Sequence, residues 1–100
     1  MSAPAMIPSG YRRCGFVYCI RNDAAGAVKI GFSKNPMRRI KQLQTASPSR
    51  LRLVGMLESA QAFETALHEE YAHRRISGEW FDDSDTQIST IMALIYGDHE

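Results

Sequence analysis

Val28-Lys29-Ile30-Gly31-Phe32-Ser33-Lys34-Asn35-Pro36-Met37-Arg38-Arg39 ends a strand, makes a tight turn and opens a helix. Gly31 closes the apolar run and suits a backbone bend that a Cβ obstructs. Asn35 is a good N-cap, and Pro36 then fits the first helical position, where a missing N–H costs nothing. Met37, Ile40 and Leu43 can face a core on that helix, leaving Arg38, Arg39 and Lys41 near its rim. One short segment therefore brings Lys29, Lys34, Arg38 and Arg39 close to a strand end, a suitable place to hold phosphate.

Working outward, Gly15-Phe16-Val17-Tyr18-Cys19-Ile20 is rich in β-branched and aromatic residues and reads as a strand. The cluster Asn22-Asp23-Ala24-Ala25-Gly26 is a turn, so this strand and Ala27–Gly31 form an antiparallel hairpin. The helix from Pro36 runs to about Gln44 and is broken by Ser47-Pro48-Ser49. Leu51–Leu57 is a third strand. Ser59 can cap a second helix that runs to His73 or Arg74, with Phe63, Ala66, Leu67 and Tyr71 as its apolar stripe. Residues 75–78 read as a loop and Glu79-Trp80-Phe81 as an extended segment. Ser84 and Gln87 fit a capping box for a third helix, with Ile88, Ile91, Met92 and Ile95 facing the core. The order β-β-α-β-α-α predicts an α+β domain over residues 15–97, an antiparallel sheet with helices packed on it. Residues 1–14 read as a loose tail or surface strap.

One hundred residues make one domain with a single modest core. The net charge of +1 hides an asymmetry. Residues 1–57 carry ten basic side chains against Asp23 alone, whereas residues 58–100 carry Arg74 and Arg75 against ten acids. No acid lies between Ala24 and Leu57. That pattern fits a polyanion partner for the first half, or two halves attracting each other across a small domain. Cys14 and Cys19, five residues apart on one strand, point to opposite faces and do not suit a bridge. No Cys/His cluster has zinc spacing, so both read as reduced packing residues of a cytoplasmic protein. No apolar run reaches membrane-spanning length, and the first ten residues lack the features of a secretory signal.

Tyr18 and Lys29 lie on paired strands and can face one groove. Arg39 follows Asn35 by one helical turn. Glu64 lies on the second helix, with His68 four residues further on the same side. A tyrosine, a lysine, an arginine and one carboxylate suffice for metal-assisted phosphodiester cleavage. The carboxylate holds a divalent cation, and the cations neutralise charge developing on phosphate. The tyrosine positions a water, or deprotonates it if neighbouring cations lower its pKa. Each residue also has a plainer reading. Tyr18 suits a core edge, Lys29 the solvent face of a strand, and the adjacent Arg38 and Arg39 a solvated helix face. Glu64 and His68 suit a helix surface, and Trp80 and Phe81 a core plug.

In these residues the chain resembles the GIY-YIG nuclease superfamily. The first signature matches Phe16-Val17-Tyr18, preceded by Gly15, and the second matches Lys29-Ile30-Gly31, with lysine in place of its tyrosine. The superfamily's arginine matches Arg39, and its helical glutamate matches Glu64 in Phe63-Glu64-Thr65-Ala66-Leu67-His68. The pattern is most similar to a small branch found in phage and bacterial genes and in meiotically up-regulated-gene proteins. That branch shares the Lys-Ile-Gly signature, the Pro-x-x-Arg helix start and a Gly-Glu-Trp-Phe segment, here Gly78-Glu79-Trp80-Phe81. Four weak motifs in order, over residues 15–81, carry the resemblance.

The resemblance implies a three-stranded antiparallel sheet flanked by helices, and DNA cleavage with a single Mg²⁺ or Mn²⁺ ion bound weakly without substrate. It assigns Tyr18 as base or water-orienting group, Arg39 and Lys29 to the phosphate, and Glu64 as the only metal ligand. His68 is an accessory candidate, and Lys34, Arg38 and Lys41 are candidates for DNA contact. A homodimer or a targeting protein is a natural partner for so small a nuclease. The alternative is a nucleic-acid-binding module of the same fold that cleaves weakly or not at all and acts with a partner.

Overall fold

The expected hairpin forms the middle of the sheet. The computed structural model describes residues 14–97; the tail expected before them and the polar end at 98–100 lie outside the described residues. Strand β1 (Gly15–Asn22) pairs antiparallel with β2 (Ala27–Ser33). The turn between them is fixed by Asn22, whose side chain and carbonyl both accept from the Ala25 N–H, and by Gly26 at φ 63°. Helix α1 (Pro36–Ala46) follows, then β3 (Leu51–Ser59), α2 (Gln61–Glu70), a 3₁₀ turn (Ala72–Arg74), β4 (Arg75–Ser77), β5 (Trp80–Asp82) and α3 (Gln87–Tyr96).

The architecture is α+β with an antiparallel sheet, but the sheet has five strands in the order β3-β1-β2-β5-β4, not three. The two additional strands have three residues each and are joined by a turn at Gly78, φ 57°. Their pairing to β2 places Trp80 opposite Lys29 and Phe81 opposite Val28.

Alternation along β1 and β2 divides the core between the two faces of the sheet. Val17, Cys19, Val28, Ile30 and Phe81 face α2 and α3 and meet Phe63, Ile88 and Met92. Tyr18, Ile20 and Leu51 face the other way and meet Ile40 and Leu43 of α1, with Trp80 beside them. Met37, expected in that contact, points to solvent, as does Ile95 of α3. Ile91 is only half-buried. Cys14 and Cys19 are both free thiols; Cys19 packs in the core as expected, but Cys14, just before β1, is exposed and is not a packing residue.

Two helix starts differ from expectation. No side chain caps α2; Ser59 instead ends β3, fully buried, with a hydroxyl lacking a hydrogen-bond partner. Helix α3 begins at Gln87 and is capped by neither Ser84 nor Gln87. Asp83 Oδ1 accepts from the N–H groups of Ile88 (2.7 Å) and Ser89 (3.2 Å). Its Oδ2 pairs with the buried Arg21 guanidinium, which also donates to the Asp83 carbonyl at 2.8 Å. A buried arginine from the middle of the sheet thus pairs with two carboxylates, Asp23 of the hairpin turn at 2.7 Å and Asp83 in the cap of the last helix. No described helix is long and apolar enough to cross a membrane.

Candidate nuclease-type site

Opposite residues of an antiparallel pair share a face, so Tyr18 (opposite Gly31) and Lys29 (opposite Ile20) lie on the same side of the sheet. The Tyr18 ring lies directly on Gly31, where a Cβ would overlap its hydroxyl and Cζ. This close approach, rather than a bend, is what the glycine serves. Asn35 caps α1 through its side chain, accepting from the Arg38 N–H at 3.3 Å, and its carbonyl accepts from the Arg39 N–H at 3.1 Å. That start aims Arg39 back at the Tyr18 phenol, close enough to act on its ionisation.

Burial nevertheless pushes the Tyr18 pKa up; Arg39 opposes the rise, and the carboxylates of Glu79 and Glu64 reinforce it. The expected lowering by neighbouring cations does not occur. Tyr18 is therefore a neutral phenol near pH 7, whose oxygen accepts from the Arg39 guanidinium and whose O–H is left to donate.

Helix α2 supplies Glu64 and His68 one turn apart. Glu64 is 5% exposed, and its Oε2 has no hydrogen-bond partner. The His68 Nε2 lies 3.8 Å from that oxygen but hydrogen-bonds the Ile30 carbonyl at 2.8 Å. A carbonyl only accepts, so Nε2 carries the proton. Phe81 packs against the imidazole, with ring centroids 5.1 Å apart.

The sheet contributes a second carboxylate. Glu79 stands in the β4–β5 turn, and its backbone carbonyl accepts from the Ile30 N–H at 3.1 Å. Its side chain pairs with Lys29, Nζ to Oε1 3.1 Å, while Lys29 lies over the Trp80 ring at 5.8 Å. One ligand atom each from Glu64, His68 and Glu79 falls within 4.8 Å of the others. Glu64 is therefore not the only acid in the constellation. Burial raises its pKa to about 7, and the adjacent Glu79 charge adds to the rise. Two crowded carboxylates and a buried oxygen without a donor fit a hard divalent cation.

Tyr18, Lys29, Arg39, Glu64 and His68 thus gather where β5 begins beside β2. Lys34, Arg38 and Lys41 stay outside this group. They are exposed and form no ion pair among the described residues. Glu79 was missed because a lone glutamate beside Trp80 carries no periodic signal. The Gly78–Phe81 segment that the small branch shares was the one pointer to it.

A model of the T5orf172 domain matches residues 15–95. The chain belongs to this family. The T5orf172 domain is nuclease-like and related to the GIY-YIG group. The matched span runs from the start of β1 to one residue short of the end of α3 and includes every residue of the cluster. Comparisons with curated proteins and with solved structures found no match.

Proposed function

We propose that this T5orf172 domain is a metal-dependent endonuclease of GIY-YIG type that cleaves DNA. The observation carrying the proposal is Glu64, a buried carboxylate with an unpartnered oxygen, set beside a phenol, a lysine and a guanidinium. A structural glutamate in that position would be expected to hold a donor on both oxygens.

Arg39 binds the scissile phosphate, and Lys29 offsets its charge from the strand side. The Tyr18 hydroxyl, neutral in this environment, donates to and orients a water or a non-bridging oxygen. Glu64, ionised above about pH 7, holds Mg²⁺ or Mn²⁺. A cation held there supplies Lewis-acid stabilisation of the phosphate and a more acidic bound water. Lys34, Arg38 and Lys41 extend a positive rim along the helix start, suited to the flanking phosphates.

Incubation of supercoiled plasmid with the protein in Mg²⁺, Mn²⁺ or EDTA tests the reading. Nicking is expected with either cation and not with EDTA. Glu64→Gln abolishes it, and Arg39→Ala slows it on the order of a hundredfold. Tyr18→Phe, which removes only the hydroxyl, also slows it. If no DNA or RNA is cleaved with either metal, the protein is a nucleic-acid-binding module instead. If Glu64→Gln cuts as fast as wild type, the assignment of the metal to Glu64 is wrong.

A further inference from the structure

We propose that Glu79 is a second carboxylate ligand of the divalent cation, and that Lys29, which pairs with Glu79, is released to the phosphate when the cation binds. This rests on the nuclease reading and adds to it a residue and an exchange of partners.

Three observations carry it. The carboxylates of Glu64 and Glu79 converge, with their oxygens and the His68 imidazole within 4.8 Å of one another. The Glu64 Oε2 beside them is buried and without a donor. The backbone of Ile30 fixes the spacing from both sides: its N–H donates to the Glu79 carbonyl at 3.1 Å, and its carbonyl accepts from His68 at 2.8 Å. One peptide strand therefore sets where the β4–β5 turn and helix α2 meet.

The second ligand is Glu79 and not His68. The Nε2 nearest to Glu64 is protonated and committed to Ile30, so it has no lone pair to offer. Hard cations of the Mg²⁺ type also prefer carboxylate oxygen to imidazole nitrogen. His68 is thus a positioning residue that pins α2 to β2. Lys29 supplies positive charge to Glu79 at 3.1 Å. A divalent ion between the two carboxylates replaces that service. Lys29, resting on Trp80 on the same face as Tyr18, is then available to an incoming phosphate.

The test is Mn²⁺ binding to the full chain without DNA, followed by electron paramagnetic resonance at about pH 8, where Glu64 is ionised. Each variant is first shown to melt cooperatively. Two carboxylates predict measurable binding at millimolar Mn²⁺, weakened roughly tenfold or more by Glu79→Gln and by Glu64→Gln alike. Glu79→Asp, which keeps the charge, retains part of the affinity. His68→Ala leaves most of it. If Glu64→Gln weakens binding and Glu79→Gln does not, the inference is overturned while the nuclease reading stands. If His68→Ala costs more than Glu79→Gln, the imidazole is the ligand and the inference is overturned. If wild type binds no Mn²⁺, or if both Gln variants bind as wild type does, the inference and the metal role of Glu64 fall together. In that case plasmid nicking still decides whether the protein is a nuclease.

Discussion

Replacing Glu64 by glutamine should make the metal-free protein more stable above neutral pH. The folded state raises the Glu64 carboxyl from 4.5 to about 7, chiefly by burial and then by the Glu79 charge. Between those values the folded protein holds more protons at this site than the unfolded chain does. Stability from this group is therefore complete below about pH 4.5, falls as pH rises through the window, and stays low above pH 7. The ceiling for such a shift is about 3 kcal/mol. The cluster opens to solvent through Glu79, whose side chain is 40% exposed, so about 2 kcal/mol is the better figure. Glutamine has similar size and no ionisation, so the variant escapes the loss. Urea unfolding in EDTA, followed by circular dichroism at several pH values, should show the variant gaining about 2 kcal/mol on wild type between pH 4.5 and 8. The melting temperatures should diverge by roughly 10 °C. Adding Mn²⁺ should narrow the gap by stabilising wild type alone. A difference between the two proteins that does not change with pH would refute the reasoning, because it would mean that burial imposes no cost on the Glu64 charge.

Three other outcomes follow from the same geometry. Asp83→Ala removes one of the two carboxylates paired with the buried Arg21 guanidinium and leaves the Ile88 and Ser89 N–H groups of α3 without their acceptor, at a cost of about 3–5 kcal/mol. Urea midpoints would show this, and an Arg21→Met/Asp83→Leu double variant should recover most of the loss. Gly31→Ala drives a methyl into the Tyr18 ring and should cost about 1–3 kcal/mol, partly relieved by Tyr18→Leu in a double-mutant cycle. DNA affinity should fall steeply with salt, and Arg38→Ala or Lys41→Ala should each lower the slope by about one while weakening all sequences alike.

Local chemistry was readable where it was local. Asn35-Pro36 announces the start of α1 because both the cap and the first helical position are read from adjacent residues. The hairpin was readable because its turn lies between two runs rich in β-branched and aromatic residues. The extended segment at residues 79–81 was readable and becomes β5, but its pairing into the sheet was not, and β4 was read as loop, since three residues cannot display an alternation and β4 is exposed along its whole length. The capping box at Ser84 misled because the competing acceptor, Asp83, is held by an arginine 62 positions away. The meeting of Glu79 with Glu64 depends on hydrogen bonds to both sides of Ile30, and no spacing along the chain encodes it. Met37 followed helical periodicity, yet α1 buries only Pro36 fully, so the stripe reaches solvent one turn earlier than its pattern suggests.

The ring of Tyr18 lies on Gly31, and on the opposite face of the same hairpin the ring of Phe32 lies on Gly15. A slip of one residue between β1 and β2 turns every side chain to the wrong face, so the serious competitor is a slip of two. That slip keeps apolar residues in the core but sets Tyr18 opposite Lys29 or Ser33, each of which has a Cβ where the phenol must lie. Two missing side chains, one per face, thus act as notches that admit a single alignment. The folding chain finds its pairing by where atoms are absent, and the same absence places the phenol beside Arg39 before any ligand arrives.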